Sequence, residues 1–165
     1  GATFCGLMIG ENSSRYLLAS DAGYGFVATL EDLLTRNKSG KAVLSARGAG
    51  VLAPQRVFEY EDDWVAAITD TGRLLIFPLA ELPLLPKGKG VKLINIPGPR
   101  HKAGEEKLTA VAVFREGDAL RLFAGKQNMR LKPSDIDTFA GSRAQRGRVL
   151  PRGYQRPTAI ETIPA

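Results

Sequence analysis

Lysine and arginine recur beside glycine three times in this chain, each time just ahead of a short apolar run. Pro86-Lys87-Gly88-Lys89-Gly90-Val91-Lys92 opens into Leu93-Ile94-Asn95-Ile96. Arg36-Asn37-Lys38-Ser39-Gly40-Lys41 precedes Ala42-Val43-Leu44, and Arg143-Ala144-Gln145-Arg146-Gly147-Arg148 precedes Val149-Leu150. The chemistry open to such turns is capture of phosphate. Glycine lets the loop approach a phosphodiester backbone, several cations meet it at once, and turn amides add donors. Arg36, Lys38, Lys41, Lys87, Lys89, Lys92, Arg143, Arg146, Arg148 and Arg152 are the candidate phosphate contacts. One such turn is most simply a soluble loop; three in register favour contact with duplex nucleic acid. No side-chain cluster suited to base edges accompanies them. The expected mode is therefore backbone contact with deformation of the duplex and little sequence preference.

Other chemistry finds little support. Gly23-Tyr24-Gly25-Phe26-Val27-Ala28 fits a relaxed dinucleotide-binding pattern, but the matching place in the next repeat is Gly72-Arg73-Leu74, which lacks the glycines. Glu61-Asp62-Asp63 and Glu105-Glu106 each occur once and read as solvated turns. Cys5 and His101 are single, so there is neither an intrachain disulfide nor a four-ligand zinc site, and no Ser/His/Asp set is credible. A lone cysteine fits a reducing compartment.

Charge is distributed unevenly. Of 23 Lys+Arg and 17 Asp+Glu, residues 1–120 hold 14 of each, so the net +6 falls entirely in residues 121–165 (nine cations against Asp135, Asp137 and Glu161). That asymmetry points to an anionic partner, nucleic acid first and an acidic membrane surface second. The cations are interleaved with Leu122, Phe123, Met129, Leu131, Ile136 and Val149, which read as core.

The elements that must carry these turns are short strands. The chain has 165 residues, 44% hydrophobic, with 18 Gly and 10 Pro, the size of one turn-rich domain over 1–165. The first unit, about 3–47, runs from Thr3–Ile9 through Tyr16–Ser20, the turn Asp21-Ala22-Gly23, Tyr24–Ala28 and a helical turn at Leu30–Leu34. The second, about 51–96, repeats that order: Gln55–Tyr60, Trp64–Ile68, Asp70-Thr71-Gly72, Arg73–Phe77 and Leu79–Leu82. Shifting by 49 places lays Asp21 on Asp70, Gly23 on Gly72 and Leu30 on Leu79. The third, about 108–150, holds Leu108–Phe114, Ala119–Phe123, Met129–Lys132 and Pro133–Ile136. A further strand lies at 157–163. Pro97 to Glu106 reads as a loop inserted between units. Units of four short strands near a 50-residue period predict an all-β, propeller-like array of about three blades. The spare last strand implies that blades exchange strands, or that it pairs with something this chain lacks.

The run ASDAGYGFVATLEDLLTRNKSGKAVL, with ITDTGRLLIFPLAELPLLPKGKGVKLINIP and the closing RGRVLPRG, resembles the C-terminal domain of the A subunit of bacterial topoisomerase IV. It is more distantly similar to the corresponding domain of the gyrase A subunit. The resemblance implies a β-pinwheel of four-stranded blades whose basic rim binds and bends duplex DNA, guiding substrate preference in decatenation and supercoil relaxation. It implies no catalysis and no cofactor in this chain. Cleavage belongs to an N-terminal core, and Mg2+ and ATP are bound elsewhere in the parent enzyme. The implied partners are duplex DNA, that catalytic core and the B subunit of topoisomerase IV, in an A2B2 enzyme of the cytoplasmic nucleoid, peripheral to the inner membrane at most; the isolated domain is expected to be monomeric. The complete glycine-rich box of gyrase (Gln-Arg-Arg-Gly-Gly-Lys-Gly) is absent, which favours the topoisomerase IV type. Arg15-Tyr16 is similar to the family's cleavage pair, yet Tyr16 begins a repeat strand and reads as structural. The competing reading is a propeller-like interaction module that docks acidic partners. The missing initial Met and the count of three blades suggest a piece of a longer polypeptide.

Overall fold

Trp64–Thr69 and Arg73–Pro78 show why this chain folds as stacked sheets. Nearly every residue of both strands is buried, on both faces. Val65, Ala67, Leu75 and Phe77 enter one apolar cluster, while Ala66, Ile68, Leu74 and Ile76 enter another. A sheet covered on one side alternates apolar and polar residues; one covered on both reads as a continuous apolar run. These two strands therefore belong to a middle layer.

In the computed structural model, residues 15–29, 52, 55–84, 90–151, 153–154 and 156–164 are described. The strands are β1 (Arg15–Ala19), β2 (Tyr24–Thr29), β3 (Gln55–Val57), β4 (Trp64–Thr69), β5 (Arg73–Pro78), β6 (Val91–Lys92), β7 (Leu108–Phe114), β8 (Ala119–Ala124), β9 (Gln127–Leu131), β10 (Arg148–Val149) and β11 (Ala159–Ile163). They form sheets ordered β3-β1-β2-β6, β10-β5-β4-β7 and β11-β8-β9. The expected strands Thr3–Ile9 and Ala42–Leu44, the helical turn Leu30–Leu34, and the cations Arg36, Lys38, Lys41, Lys87, Lys89 and Arg152 lie outside the described residues.

The sheets do not coincide with the sequence repeats, because strands are exchanged. β3 follows unit one in sequence and pairs with β1; β7 pairs with β4; β11 pairs with β8. The last strand thus finds its partner within this chain. In the other direction, β6 returns to β2 and β10 returns to β5. This is the strand-exchanged, all-β pinwheel arrangement expected from the sequence. Sheets one and two enclose Leu17, Val27, Val65, Leu75, Phe77, Leu93 and Val111. Sheets two and three enclose Ile68, Leu74, Ile76, Leu120, Leu122 and Leu131.

Three sequence expectations need correction. The opening strand of unit two ends at Val57 rather than Tyr60, because the Asp63 carboxylate accepts the amides of Phe58 (2.7 Å) and Glu59 (2.9 Å) and bends the chain into a turn. Asp63 is accordingly buried, although Glu61 and Asp62 are exposed as expected. The insertion from Pro97 is not all loop: Gly98–Lys102 forms a short helix, α1. Proline marks loops in a sequence, but in the first turn of a helix its missing N–H costs nothing. The apolar Val149 is half exposed, since β10 lies at a sheet edge. The other two helical segments stand where the repeat puts them: a 3-10 turn at Leu79–Glu81 and α2 at Pro133–Thr138.

Candidate nucleic-acid interface

The second and third basic turns arise in the same way. Leu84 bridges Val27 in parallel, and Val91 pairs opposite Gly25. One repeat later Ala140 bridges Ile76 in parallel, the chain leaves the sheet, and Arg148 returns opposite Leu74. The anchoring positions, 25 with 74 and 27 with 76, differ by the same 49 places seen in the sequence. The second and third basic turns, here called excursions, thus fall between equivalent anchoring points of successive sheets, set by the 49-residue period.

At one side of the sheets, β7 packs directly against β3 and β11 from the neighbouring sheets. β6 and β10 are the edges of sheets one and two on the side away from those contacts.

The excursions are joined. Ala144 N–H donates to Leu93 O (2.9 Å), and Asn95 N–H donates to Gln145 O (2.9 Å). The Arg143 guanidinium donates to Lys92 O at 2.8 Å, and its amide donates to Glu81 Oε1 at 2.9 Å. Lys92 Nζ is 3.1 Å from Asn95 Oδ1. Arg73, which the sequence did not single out, donates to Gly147 O at 3.3 Å. Lys92, Arg143, Arg146 and Arg73 are thereby drawn into one ribbon, with Arg148 exposed at its end.

Arg146 is differently placed. Its guanidinium grips the Glu106 carboxylate (3.0 and 3.2 Å) and also donates to Asn95 O. Glu106 is fully buried, which corrects its reading as a solvated turn residue. It accepts the Thr71 hydroxyl at 2.6 Å, and Arg100 Nε lies 3.5 Å away. Burial by itself would raise the Glu106 pKa. The hydrogen bonds from Thr71 and Arg146, with the charges of Arg146 and Arg100, outweigh it and hold the group below its ordinary value. No sequence signal separated Glu106 from Glu105; only the three-dimensional meeting of Thr71, Arg100 and Arg146 does so.

The turn glycines serve packing. Gly90 has φ +81° and Gly147 φ +76°. A Cβ on Gly90 would collide with Gly25 O, and one on Gly147 would sit 2.8 Å from Leu74 O. Both mark the point where an excursion rejoins its host sheet, so their lack of a side chain serves the crossing of two backbones. Tyr16, as expected, is a buried β1 residue. Among the described residues no group of three or more His, Cys, Asp or Glu is placed to hold a metal ion, and no helix is long and apolar enough to cross a membrane.

The family model described as the DNA gyrase C-terminal domain, β-propeller, matches residues 15–48 and 63–115. The A subunit of DNA topoisomerase 4 from Pseudomonas aeruginosa is 48% identical over 161 residues, covering 97% of this chain and 21% of that protein. The protein of the same name from Escherichia coli (strain K12) is 39% identical over 161 residues, covering 98% and 21%. This chain thus spans about a fifth of the length of these relatives. The structure of the E. coli ParC C-terminal domain superposes with a TM-score of 0.80 at 33% identity, covering 96% of this chain and 64% of that one. The DNA gyrase A C-terminal domain superposes with a TM-score of 0.71 at 17% identity, covering 93% and 50%, a likeness of fold.

Proposed function

We propose, starting from the premise that this chain belongs to the family of DNA gyrase C-terminal, β-propeller domains, that it is the non-catalytic DNA-binding and DNA-bending domain of a topoisomerase IV A subunit. The observation that carries this reading is the joined pair of basic excursions at the β6 and β10 sheet edges. Lys92, Arg143 and Arg148 lie along one ribbon, and each excursion is rooted at an equivalent place in its sheet. Duplex DNA laid across successive excursions meets cations at intervals set by the sheets, so it is held and curved at once. By sequence, Lys87 and Lys89 belong to the second basic turn, Arg152 follows the third, and Arg36, Lys38 and Lys41 belong to the first.

On this reading, strand cleavage, Mg2+ and ATP belong to parts of a parent enzyme outside this chain. That enzyme's catalytic core and its B subunit are the protein partners, in an A2B2 assembly at the nucleoid. The domain steers which DNA topology the core receives, in decatenation and in relaxation of supercoils.

A salt titration of duplex binding tests the reading. Each phosphate neutralised contributes about −0.9 to the slope of log affinity against log salt. Affinity should fall steeply with salt, and Arg148→Ala should make the slope shallower by roughly 0.9. Weak binding at every salt concentration would favour the interaction module that docks acidic proteins.

A further inference from the structure

The insertion that interrupts the repeat touches the turns of two sheets and the excursion of a third unit. His101 on α1 places Nε2 2.8 Å from Asp21 Oδ1, in the β1–β2 turn of sheet one. Leu108 N–H donates to Asp21 O at 2.7 Å. Lys107 exchanges two hydrogen bonds with Asp70 in the β4–β5 turn of sheet two, one from its amide to Oδ1 (2.9 Å) and one into its carbonyl (3.0 Å). Glu106 reaches Thr71 in the same turn and Arg146 in the third basic excursion. One short segment therefore connects the hairpin turns of two adjacent sheets to the cationic ribbon.

We infer that residues 97–107 form a tie that sets the angle between successive sheets and so the curvature imposed on DNA. Glu106 is its central positioning residue, and Arg146 is a strut of the tie rather than a phosphate contact. The inference rests on the DNA-bending reading above. The chemistry favours the strut. Two guanidinium nitrogens of Arg146 already face a buried carboxylate, and a phosphate that drew Arg146 away would cost Glu106 its bidentate partner away from water. Arg148, two residues on, is exposed and carries no such obligation.

The test compares Glu106→Gln and Thr71→Val with Thr71→Ser, which keeps the hydroxyl and should behave as the unsubstituted chain. End-to-end energy transfer across a short dye-labelled duplex reads the bend, a salt titration reads the phosphate count, and amide exchange reads the tie without DNA. The two disruptive variants should bend the duplex less, keep the salt slope within about 0.3, well under the ~0.9 that one phosphate contributes, and exchange faster at Asp70 and Leu108. Val65 to Ile68 should stay protected, which shows that sheet two is folded. A slope shallower by about 0.9 in Arg146→Ala would make Arg146 a phosphate contact and overturn its assignment as a strut. An unchanged bend with accelerated exchange would overturn the link from tie to curvature. If the unsubstituted chain binds no duplex at any salt, the functional reading fails and the curvature claim falls with it. Unchanged exchange at Asp70 and Leu108 would dispose of the tie in either case.

Discussion

Gly90 and Glu106 show how much a single residue decides here. Gly90 combines a left-handed backbone with contact on the Gly25 carbonyl, so a methyl group can be admitted only if β6 leaves β2. The left-handed conformation alone costs a non-glycine residue roughly 1–2 kcal/mol, before the contact is counted. Gly90→Ala should therefore lower unfolding stability by more than about 2 kcal/mol. Gly98→Ala, with open space beyond its chain neighbours and opposed only by the restriction on a residue before proline, should cost less than about 1 kcal/mol. Urea denaturation of the two variants makes the comparison, and equal effects would mean that the contact at Gly90 carries no energy.

Glu106 adds a pH dependence of definite sign. Its folded pKa lies below the ordinary value of 4.5 through the Thr71 and Arg146 hydrogen bonds, against the opposing effect of burial. A depressed carboxylate contributes stability that is complete above the unfolded pKa and is lost as pH falls through the folded one. Unfolding midpoints should drop on acidification through and below the normal carboxylate range. Glu106→Gln, less stable at neutral pH by about 2 kcal/mol, should lose less over the same interval. Parallel pH profiles for the two proteins would show that the ion pair does not couple to folding.

At the scale of elements, strand exchange makes each sheet depend on distant parts of the chain. Sheet three is the clearest case, because β11 pairs with β8 along its full length and Ile160 packs on the cluster between sheets two and three. Without β11 the sheet is reduced to the β8–β9 hairpin, and a two-stranded hairpin is marginal on its own. Removing residues 158–164 should therefore abolish amide protection in β8 and β9 while β1, β2, β4 and β5 keep theirs. Hydrogen exchange read by mass spectrometry checks this, and persistent protection of β8 would mean that the α2 side of the sheet is sufficient support. The strands themselves were legible from apolar runs and turn residues; Leu108–Phe114 and Trp64–Ile68 needed no tertiary information. Their partners were not legible. Whether β7 closes its own unit or the previous one depends on long-range pairing energy, and both arrangements produce the same local pattern. Helix α1 was hidden for a different reason, since Pro97-Gly98-Pro99 carries loop residues that a helical first turn also tolerates.

At the scale of the whole molecule, part of the charge excess in the last 45 residues, Arg143, Arg146 and Arg148, is brought against earlier segments. Arg148 lies on the β10 edge of sheet two, and Arg143, just before it, reaches Lys92 O on the β6 edge of sheet one. The place of this cationic edge was legible because the 49-residue register is a covalent property. The division of labour within it was not, since Arg146 and Arg148 are indistinguishable until Glu106 is brought up from another part of the chain. What the edge presents bears on specificity. The cations stand on or beside short strands at a sheet border, and among the described residues the two α-helices, Gly98–Lys102 and Pro133–Thr138, carry none of the ribbon cations Lys92, Arg143 and Arg148. On the proposed DNA-binding reading, such a surface would meet phosphates rather than bases, and any preference would come from how readily a duplex bends. Duplexes of equal length and scrambled sequence should then compete within about threefold of one another, whereas one wrong base pair costs a base-reading protein roughly 1–3 kcal/mol. Sequences rich in flexible pyrimidine–purine steps should stand at the tight end of that narrow range. Competition binding at fixed salt decides it: a spread well beyond tenfold that follows one short motif would reveal a base-reading group and displace the cationic edge as the sole determinant.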